Sequence, residues 1–152
     1  MIKIEELRIG NYILADNVIK KVCCIKKDNI ASQQQYVGFE DGDQCRYEAC
    51  DSERLQFMPL TDHVLQDSGF TFHTYFRVWQ HSRPSRSYSI ELDSDFAALD
   101  FVHRVIVKNL EFVHTLQNLF YCIQGIELNL EMKKIYNLPD SNSANTMSKL
   151  LS

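Results

Sequence analysis

The sequence predicts an α+β protein, in which an N-terminal SH3-like β-barrel is followed by a small antiparallel sheet packed by one main helix. Turn residues punctuate residues 1–58 roughly every 8–12 positions, as in small barrels and sandwiches. Apolar side chains alternate with period two from residue 70 onward, which is typical of strands. Between residues 110 and 124 they follow the spacing of an amphipathic helix.

The bulk composition predicts a folded chain and limits its partners. Of 152 residues, 45% are hydrophobic and 24% are charged, which is ordinary globular usage. The formal net charge of −4 argues against sequence-independent nucleic-acid binding over the whole surface, because such binding needs a positive field. No apolar run approaches the ~18 residues of a membrane helix, so we expect no membrane partner.

The cysteines favour a reducing compartment and argue against a metal centre. Five cysteines are an odd number, and no secretory signal precedes them, so we expect a cytoplasmic protein with reduced thiols. Cys45 and Cys50 have no second Cys/His pair at zinc spacing. Cys23 and Cys24 are adjacent in a predicted strand and should therefore point to opposite faces. We expect no metal and no cofactor.

The N-terminal barrel is predicted from turn signals within residues 1–58. With about 55 residues available, a five-stranded SH3-like barrel is the natural choice. The signals are Gly10-Asn11, Asp16-Asn17, Asp28-Asn29 and the run 40–43.

A short helix is predicted over residues 62–68. Thr61 is a good N-cap residue, and Leu60 can pack on Leu65 as a hydrophobic staple. Gly69 supplies the left-handed residue that ends the helix.

A hairpin with a long tip is predicted next. In its first strand, one face carries the aromatic core residues and the other face carries Tyr75, Arg77 and Trp79. A polar loop over residues 80–86 leads to a second strand at 88–92, and the apolar segment 99–107 predicts a central strand. The residues assigned to the core face are Phe70, Phe72, Phe76 and Val78.

The main helix is predicted over residues 110–124. Asn109 is its expected N-cap and Gly125 its expected terminator. The spacing of Val113, Leu116, Phe120 and Ile123 predicts the face that packs on the core.

Three units follow from these elements. We expect a barrel subdomain over residues 1–58, an α+β subdomain over 59–136, and a flexible tail over 137–152. The tail is polar and rich in Ser and Asn, which is typical of mobile termini.

Three stretches together carry a resemblance: LRIGNYI at 7–13, PLTDHVLQDSGF at 59–70 and FVHTLQNLFYCIQGIEL at 112–128. The chain resembles a group of uncharacterised small proteins encoded by phage, prophage and other mobile elements of Bacteroidetes. The resemblance implies a mobile-element origin and a shared fold. It implies no activity and assigns no role to any residue.

A polar stripe on the main helix is the most distinctive candidate site. His114, Gln117, Asn118 and Tyr121 are spaced by three, four and seven, so they share one face of the helix. One interpretation is a binding or proton-handling site around His114, with Glu111 as the local acid. The other, which we favour, is a polar network that fixes how the two halves dock, because buried amides and imidazoles need partners.

The second candidate surface is the Arg/aromatic segment. Residues 70–90 contain no acidic side chain, and arginines beside aromatic rings are typical of single-strand binders. The alternative is that Tyr75 and Trp79 pack inside the protein, since a lone Trp is usually buried. The residues concerned are Tyr75, Arg77, Trp79, Arg83 and Arg86.

Neither a nucleophile elbow nor a glycine-rich phosphate loop occurs in the sequence, so we expect no enzymatic activity. The leading hypothesis is a non-enzymatic interaction protein of phage or mobile-element origin whose partner is a phage or host protein. The alternative is a nucleic-acid-binding accessory protein that uses Arg77, Trp79, Arg83 and Arg86.

Overall fold

A computed structural model describes residues 2–27, 34–81, 90–100 and 102–131. Within these ranges the protein is α+β, with two five-stranded antiparallel sheets and one main helix, as the sequence predicts. The predicted tail and the two arginines of the 80–86 loop lie outside the described residues.

The first sheet begins after a 3₁₀ turn at Ile4–Glu6 and has the strand order β4-β3-β2-β1-β5. Asp16 and Asn17 both adopt positive φ, at 52° and 62°, which gives the tight turn that joins β1 to β2. The strands are β1 Tyr12–Ala15, β2 Val18–Lys27, β3 Gln35–Asp41, β4 Gln44–Ala49 and β5 Leu55–Phe57.

The ten-residue strand β2 bends the first sheet. Its first half pairs with β1 and its second half with β3, and the register shifts between Val22 and Cys24. Such a bulge adds one unpaired residue and increases the local twist. Among the described residues, the ladder runs from β4 to β5 without joining its ends, so the sheet is not a closed barrel. The SH3-like assignment therefore stays a prediction.

The short helix α1, Asp62–Asp67, begins where the sequence predicts. The Thr61 hydroxyl accepts a hydrogen bond from the Val64 amide at 3.3 Å. Gly69 has φ of 89°, so the chain leaves the helix through a left-handed residue and enters the second sheet.

The second sheet has the order β10-β9-β8-β7-β6 and contains two hairpins that the sequence analysis missed. Its strands are β6 Phe70–His73, β7 Val78–His81, β8 Glu91–Leu92, β9 Ala98–Leu99 and β10 Val105–Val107.

The predicted continuous strand from residue 70 to 79 is wrong. The Arg77 amide donates to the His73 carbonyl at 2.7 Å, and Arg77 takes a φ of 56°, so the chain reverses between β6 and β7. The reversal changes which side chains face the core. Trp79 is only 4% exposed, whereas Phe76 is 65% exposed.

The predicted central strand over residues 99–107 is also wrong. The Asp100 carboxylate accepts hydrogen bonds from the amides of Val102 and Arg104, at 2.9 and 2.8 Å, and His103 adopts a φ of 59°. This side-chain-capped turn divides the segment into β9 and β10.

The main helix α2, Val113–Gln124, starts later than predicted, and Asn109 is not its cap. Strand-like contacts take the place of a side-chain cap, since the Val113 amide donates to the Met58 carbonyl at 2.9 Å. Gly125, with φ of 69°, ends the helix as expected. Ile123 was expected in the core but is exposed.

Strand β1 is buried on both faces and separates two hydrophobic clusters. Tyr12 and Leu14 belong to the cluster formed with α1, α2 and the second sheet. Ile13 and Ala15 belong to the cluster inside the first sheet. One four-residue strand therefore contributes side chains to two cores in strict alternation.

We expect Ile13→Ala and Leu14→Ala to be equally damaging, because each removes a buried side chain from a different core. Each substitution should lower the free energy of unfolding by about 2–5 kcal/mol in urea titrations. Val18→Ala, at an exposed position on β2, should change it by less than about 0.5 kcal/mol. A loss below about 1 kcal/mol at either buried position would contradict the two-faced role of β1.

Candidate functional site

The four residues of the polar stripe do not share one environment. His114 and Gln117 are buried, with 1% and 0% exposure, Asn118 is half-buried and Tyr121 is exposed. The stripe lies against the segment that precedes β1, as the contacts below show. The structure thus brings Gln117, Asn118 and Tyr121 to one place and puts His114 in another.

The side-chain amide of Gln117 completes the backbone hydrogen bonding of two neighbouring segments. Its Oε1 accepts from the Tyr12 amide at 2.9 Å. Its Nε2 donates to the carbonyls of Gly10 and Leu128, at 3.3 and 3.2 Å. One buried side chain from α2 therefore connects the start of β1 to the segment after α2.

The guanidinium of Arg8 joins α2 to the segment that follows it. Its Nε donates to Asn118 Oδ1 and its Nη2 to Glu127 Oε2, both at 2.8 Å. The guanidinium carbon lies 4.4 Å from the centroid of the Tyr121 ring, a cation–π distance. The hydrogen bond with Arg8 holds the pKa of the Glu127 carboxyl below its usual value.

Asn11 closes this set of contacts. Its Oδ1 accepts from the Arg8 amide at 2.8 Å, and its Nδ2 donates to Asn118 Oδ1 at 3.0 Å. We call Arg8, Asn11, Gln117, Asn118 and Glu127 the polar clamp. Its members satisfy one another and the local backbone, so the arrangement orients α2 against β1.

His114 is enclosed by aromatic rings. Phe57 stacks on it with ring centroids 4.1 Å apart, and Phe112 lies at 5.8 Å. Its Nε2 is 3.6 Å from Glu6 Oε2, so Glu6 and not Glu111 is its acidic neighbour. Its Nδ1 has no hydrogen-bond partner among the described residues. Burial lowers the pKa of the imidazole, which favours the neutral form.

Sequence analysis missed four participants: Glu6, Arg8, Asn11 and Glu127. A signal was available, because Arg8 and Asn11 lie in the stretch at 7–13 and Glu127 lies in the stretch at 112–128 that carry the resemblance. These stretches are far apart in sequence and touch only in the folded protein. Spacing along one helix cannot show such a contact.

The Arg/aromatic segment is divided by the hairpin. Tyr75 is 88% exposed and Phe76 follows it at the end of the hairpin, with ring centroids 5.0 Å apart in an edge-to-face pair. Trp79 is buried and packs on Phe72 at 5.1 Å, so its assignment as an exposed stacking platform is wrong.

We call Tyr75, Phe76 and Arg77 the aromatic tip. All three side chains are exposed. No acidic residue occurs between Gly69 and Glu91, so the tip has a local positive charge in a chain whose net charge is −4. Arg83 and Arg86 lie outside the described residues.

A cavity of about 490 Å³ lies between the end of α1, α2 and the segment after α2. His81 lines it, with Nε2 3.1 Å from the Ser68 carbonyl oxygen, and Phe120 forms part of the wall. In the described part of the chain, Glu127 is the one clamp member on its lining, and no residue of the aromatic tip reaches it.

Three cysteines share one face of the first sheet, although adjacent Cys23 and Cys24 were expected on opposite faces. The thiol of Cys23 is hydrogen-bonded with that of Cys45, and burial together with this contact raises its pKa to about 11. Cys24 lies on the same side, beside Tyr47. The β2 bulge explains the error, because the extra residue breaks the alternation.

Two searches of the described residues bear on metals and membranes. They contain no group of three or more His, Cys, Asp or Glu side chains placed to hold an ion. Across the same ranges, no helix combines the length and apolar character needed to span a bilayer.

Removing the Gln117 side chain should destabilise the fold through unpaired polar groups. We expect Gln117→Met, which keeps the volume, to lower the free energy of unfolding by about 2 kcal/mol or more. Cys122→Ala, at an exposed position on the same helix, should change it little. Urea titration measures both, and wild-type stability in Gln117→Met would show that the amide contacts contribute nothing.

The buried imidazole of His114 should make stability fall on acidification. Its folded-state pKa lies below the unfolded value of about 6.5, so below that pH the unfolded chain binds the extra proton. Replacing His114 by Asn should remove part of the stability loss between pH 7 and pH 5. His63→Asn, at an exposed position of α1, is the control. Parallel pH–stability curves for wild type and His114→Asn would contradict this expectation.

Comparison of the chain with protein-family models, with curated proteins and with solved structures gives no match. No relative therefore assigns a role to the polar clamp or to the aromatic tip. The resemblance to phage and mobile-element proteins stays a prediction, and function is inferred from the geometry of these two sites.

Proposed function

We propose that the protein is a non-enzymatic interaction protein of phage or mobile-element origin, which acts in the cytoplasm and docks on a phage or host protein through its aromatic tip. The observation that carries the proposal is the exposure of two adjacent aromatic rings, Tyr75 at 88% and Phe76 at 65%, at the end of a hairpin.

Aromatic residues at this position do not serve the turn itself. Tight turns favour Gly, Asn, Asp, Ser and Pro, each for a conformational reason that Tyr and Phe do not share. Neither ring belongs to a hydrophobic cluster of the protein. Exposed Tyr, Phe and Arg side chains are instead typical of the residues that contribute most to protein interfaces.

The tip is also held in place, which favours binding. Strands β6 and β7 pair over four residues, and the pair Phe72–Trp79 anchors the hairpin to the core below. The edge-to-face contact between Tyr75 and Phe76 restricts both rings. Side chains that are ordered before binding lose less conformational entropy when a partner arrives.

The charge of the tip indicates the partner's surface. Arg77 is exposed, and the surrounding sequence from residue 70 to 90 has no acidic side chain. A complementary surface would have an apolar pocket for the two rings and a carboxylate at its rim.

The candidate polar sites are better explained by structure than by catalysis. A general base must reach the proton that it removes, and His114 is 1% exposed between two aromatic rings. The polar clamp satisfies its own hydrogen bonds and lies between secondary-structure elements. Both features support a non-enzymatic role.

The proposal includes an SH3-like barrel as the origin of the first sheet. Strand β5 returns to pair with β1, and the bulged β2 takes part in pairings on both of its halves. A sheet that curls in this way is intermediate between an open sheet and a barrel.

Site-specific photo-crosslinking in the cells that naturally make the protein tests this proposal. A benzophenone amino acid replaces Tyr75 in one variant and Val18, an exposed apolar residue of the first sheet, in the control variant. We expect a discrete protein adduct from position 75 and none from position 18. Phe76→Ser combined with Arg77→Asn should reduce that adduct about tenfold or more, since Asn tolerates the positive φ of residue 77.

Two outcomes would overturn the proposal. Equal adducts from positions 75 and 18 would mean that the tip has no special affinity. An adduct that nuclease digestion removes would instead favour the nucleic-acid alternative, in which Tyr75 and Arg77 act without the buried Trp79.

A further inference from the structure

The outer face of the first sheet brings two thiols together across an intervening strand. Cys23 lies on β2 and Cys45 on β4, and β3 runs between them. The two thiols are hydrogen-bonded to each other. Cys45 is exposed and Cys23 is half-buried, so the pair is accessible from solvent.

Gly38 of β3 leaves the space that this approach needs. A Cβ atom at this position would lie 2.9 Å from Cys45 Sγ and 3.0 Å from Cys24 Cβ, closer than atoms pack. Only glycine therefore lets the neighbouring side chains cross β3.

We propose that Cys23 and Cys45 form a two-thiolate site for a soft monovalent cation, with Cu(I) as its ligand. This site is separate from the aromatic tip, and it does not depend on the proposed docking function.

A disulfide between the two cysteines is disfavoured by the sheet. Neighbouring strands lie ~4.8 Å apart, so residues on strands two apart are separated by about 9–10 Å. The Cα atoms of a disulfide usually lie about 4.4–6.8 Å apart. Forming the bond would require the backbone of β2 or β4 to move toward the other across β3.

A shared ion fits the same separation. Metal–sulfur bonds of ~2.3 Å place two sulfurs that share one ion roughly 4 Å apart, about twice the length of a disulfide bond. Zinc takes four ligands, and the described residues offer no group of three suitable side chains. Cu(I) is the soft ion that accepts thiolates at low coordination number.

The binding step is a proton exchange without oxidation or reduction. Cu(I) forms one bond to each sulfur, both thiols release their protons to solvent, and the resulting bis-thiolate complex carries one negative charge. The ammonium of Lys26, which lies 4.0 Å from the centroid of the Tyr47 ring, interacts electrostatically with Cys45 and can offset that charge. Metal binding replaces the two protons, so the raised pKa of Cys23 makes affinity depend strongly on pH.

Anaerobic titration of the reduced full chain with Cu(I), against a chromophoric Cu(I) chelator, tests the site. We expect one ion per chain, with two sulfur neighbours at ~2.3 Å by X-ray absorption. Because two protons are released, affinity should fall up to about a hundredfold for each pH unit of acidification.

Variants locate the ion. Cys23→Ser and Cys45→Ser should each weaken binding about a hundredfold or more, whereas Cys122→Ser, at an exposed thiol on α2, should leave it unchanged. Circular dichroism and urea titration verify that each variant folds. Failure to retain an ion, equal losses in all three variants, or full binding by Cys45→Ser would each overturn the proposal.

Discussion

The structure depends on strand β1, whose four residues have no exposed face. Most strands of antiparallel sheets bury one face and leave the other in water. In β1, the even-numbered side chains Tyr12 and Leu14 belong to one core, and Ile13 and Ala15 belong to the other. The two sheets are therefore parts of one packing problem, because a shift of β1 by one residue would exchange the side chains of both cores.

The polar clamp solves the problem of register that β1 creates. Hydrophobic packing alone is non-directional and would tolerate small displacements of α2 over β1. Hydrogen bonds are directional, and Gln117 bonds to the backbone at Tyr12, Gly10 and Leu128. The buried amide therefore specifies one placement of the helix, with Arg8 and Glu127 closing the solvent side.

Local rules predicted local features well. The Thr61 cap, the Gly69 and Gly125 terminators and the turn at Asp16 and Asn17 depend on a few neighbouring residues, and all are present. The prediction of a single strand through Trp79 was wrong, because the reversal depends on a positive φ at Arg77, an arginine that carries no turn signal. The partners in the polar clamp could not be predicted, since they are more than 100 positions apart in sequence.

The hairpin between β6 and β7 closes through backbone atoms, with the Arg77 amide on the His73 carbonyl. The side chains at its end contribute little to the stability of either core, so mutation can alter Tyr75 and Phe76 without unfolding the protein. Selection can thus retune what the hairpin recognises while the scaffold stays constant. A mobile element that meets new hosts would benefit from such an exchangeable recognition loop.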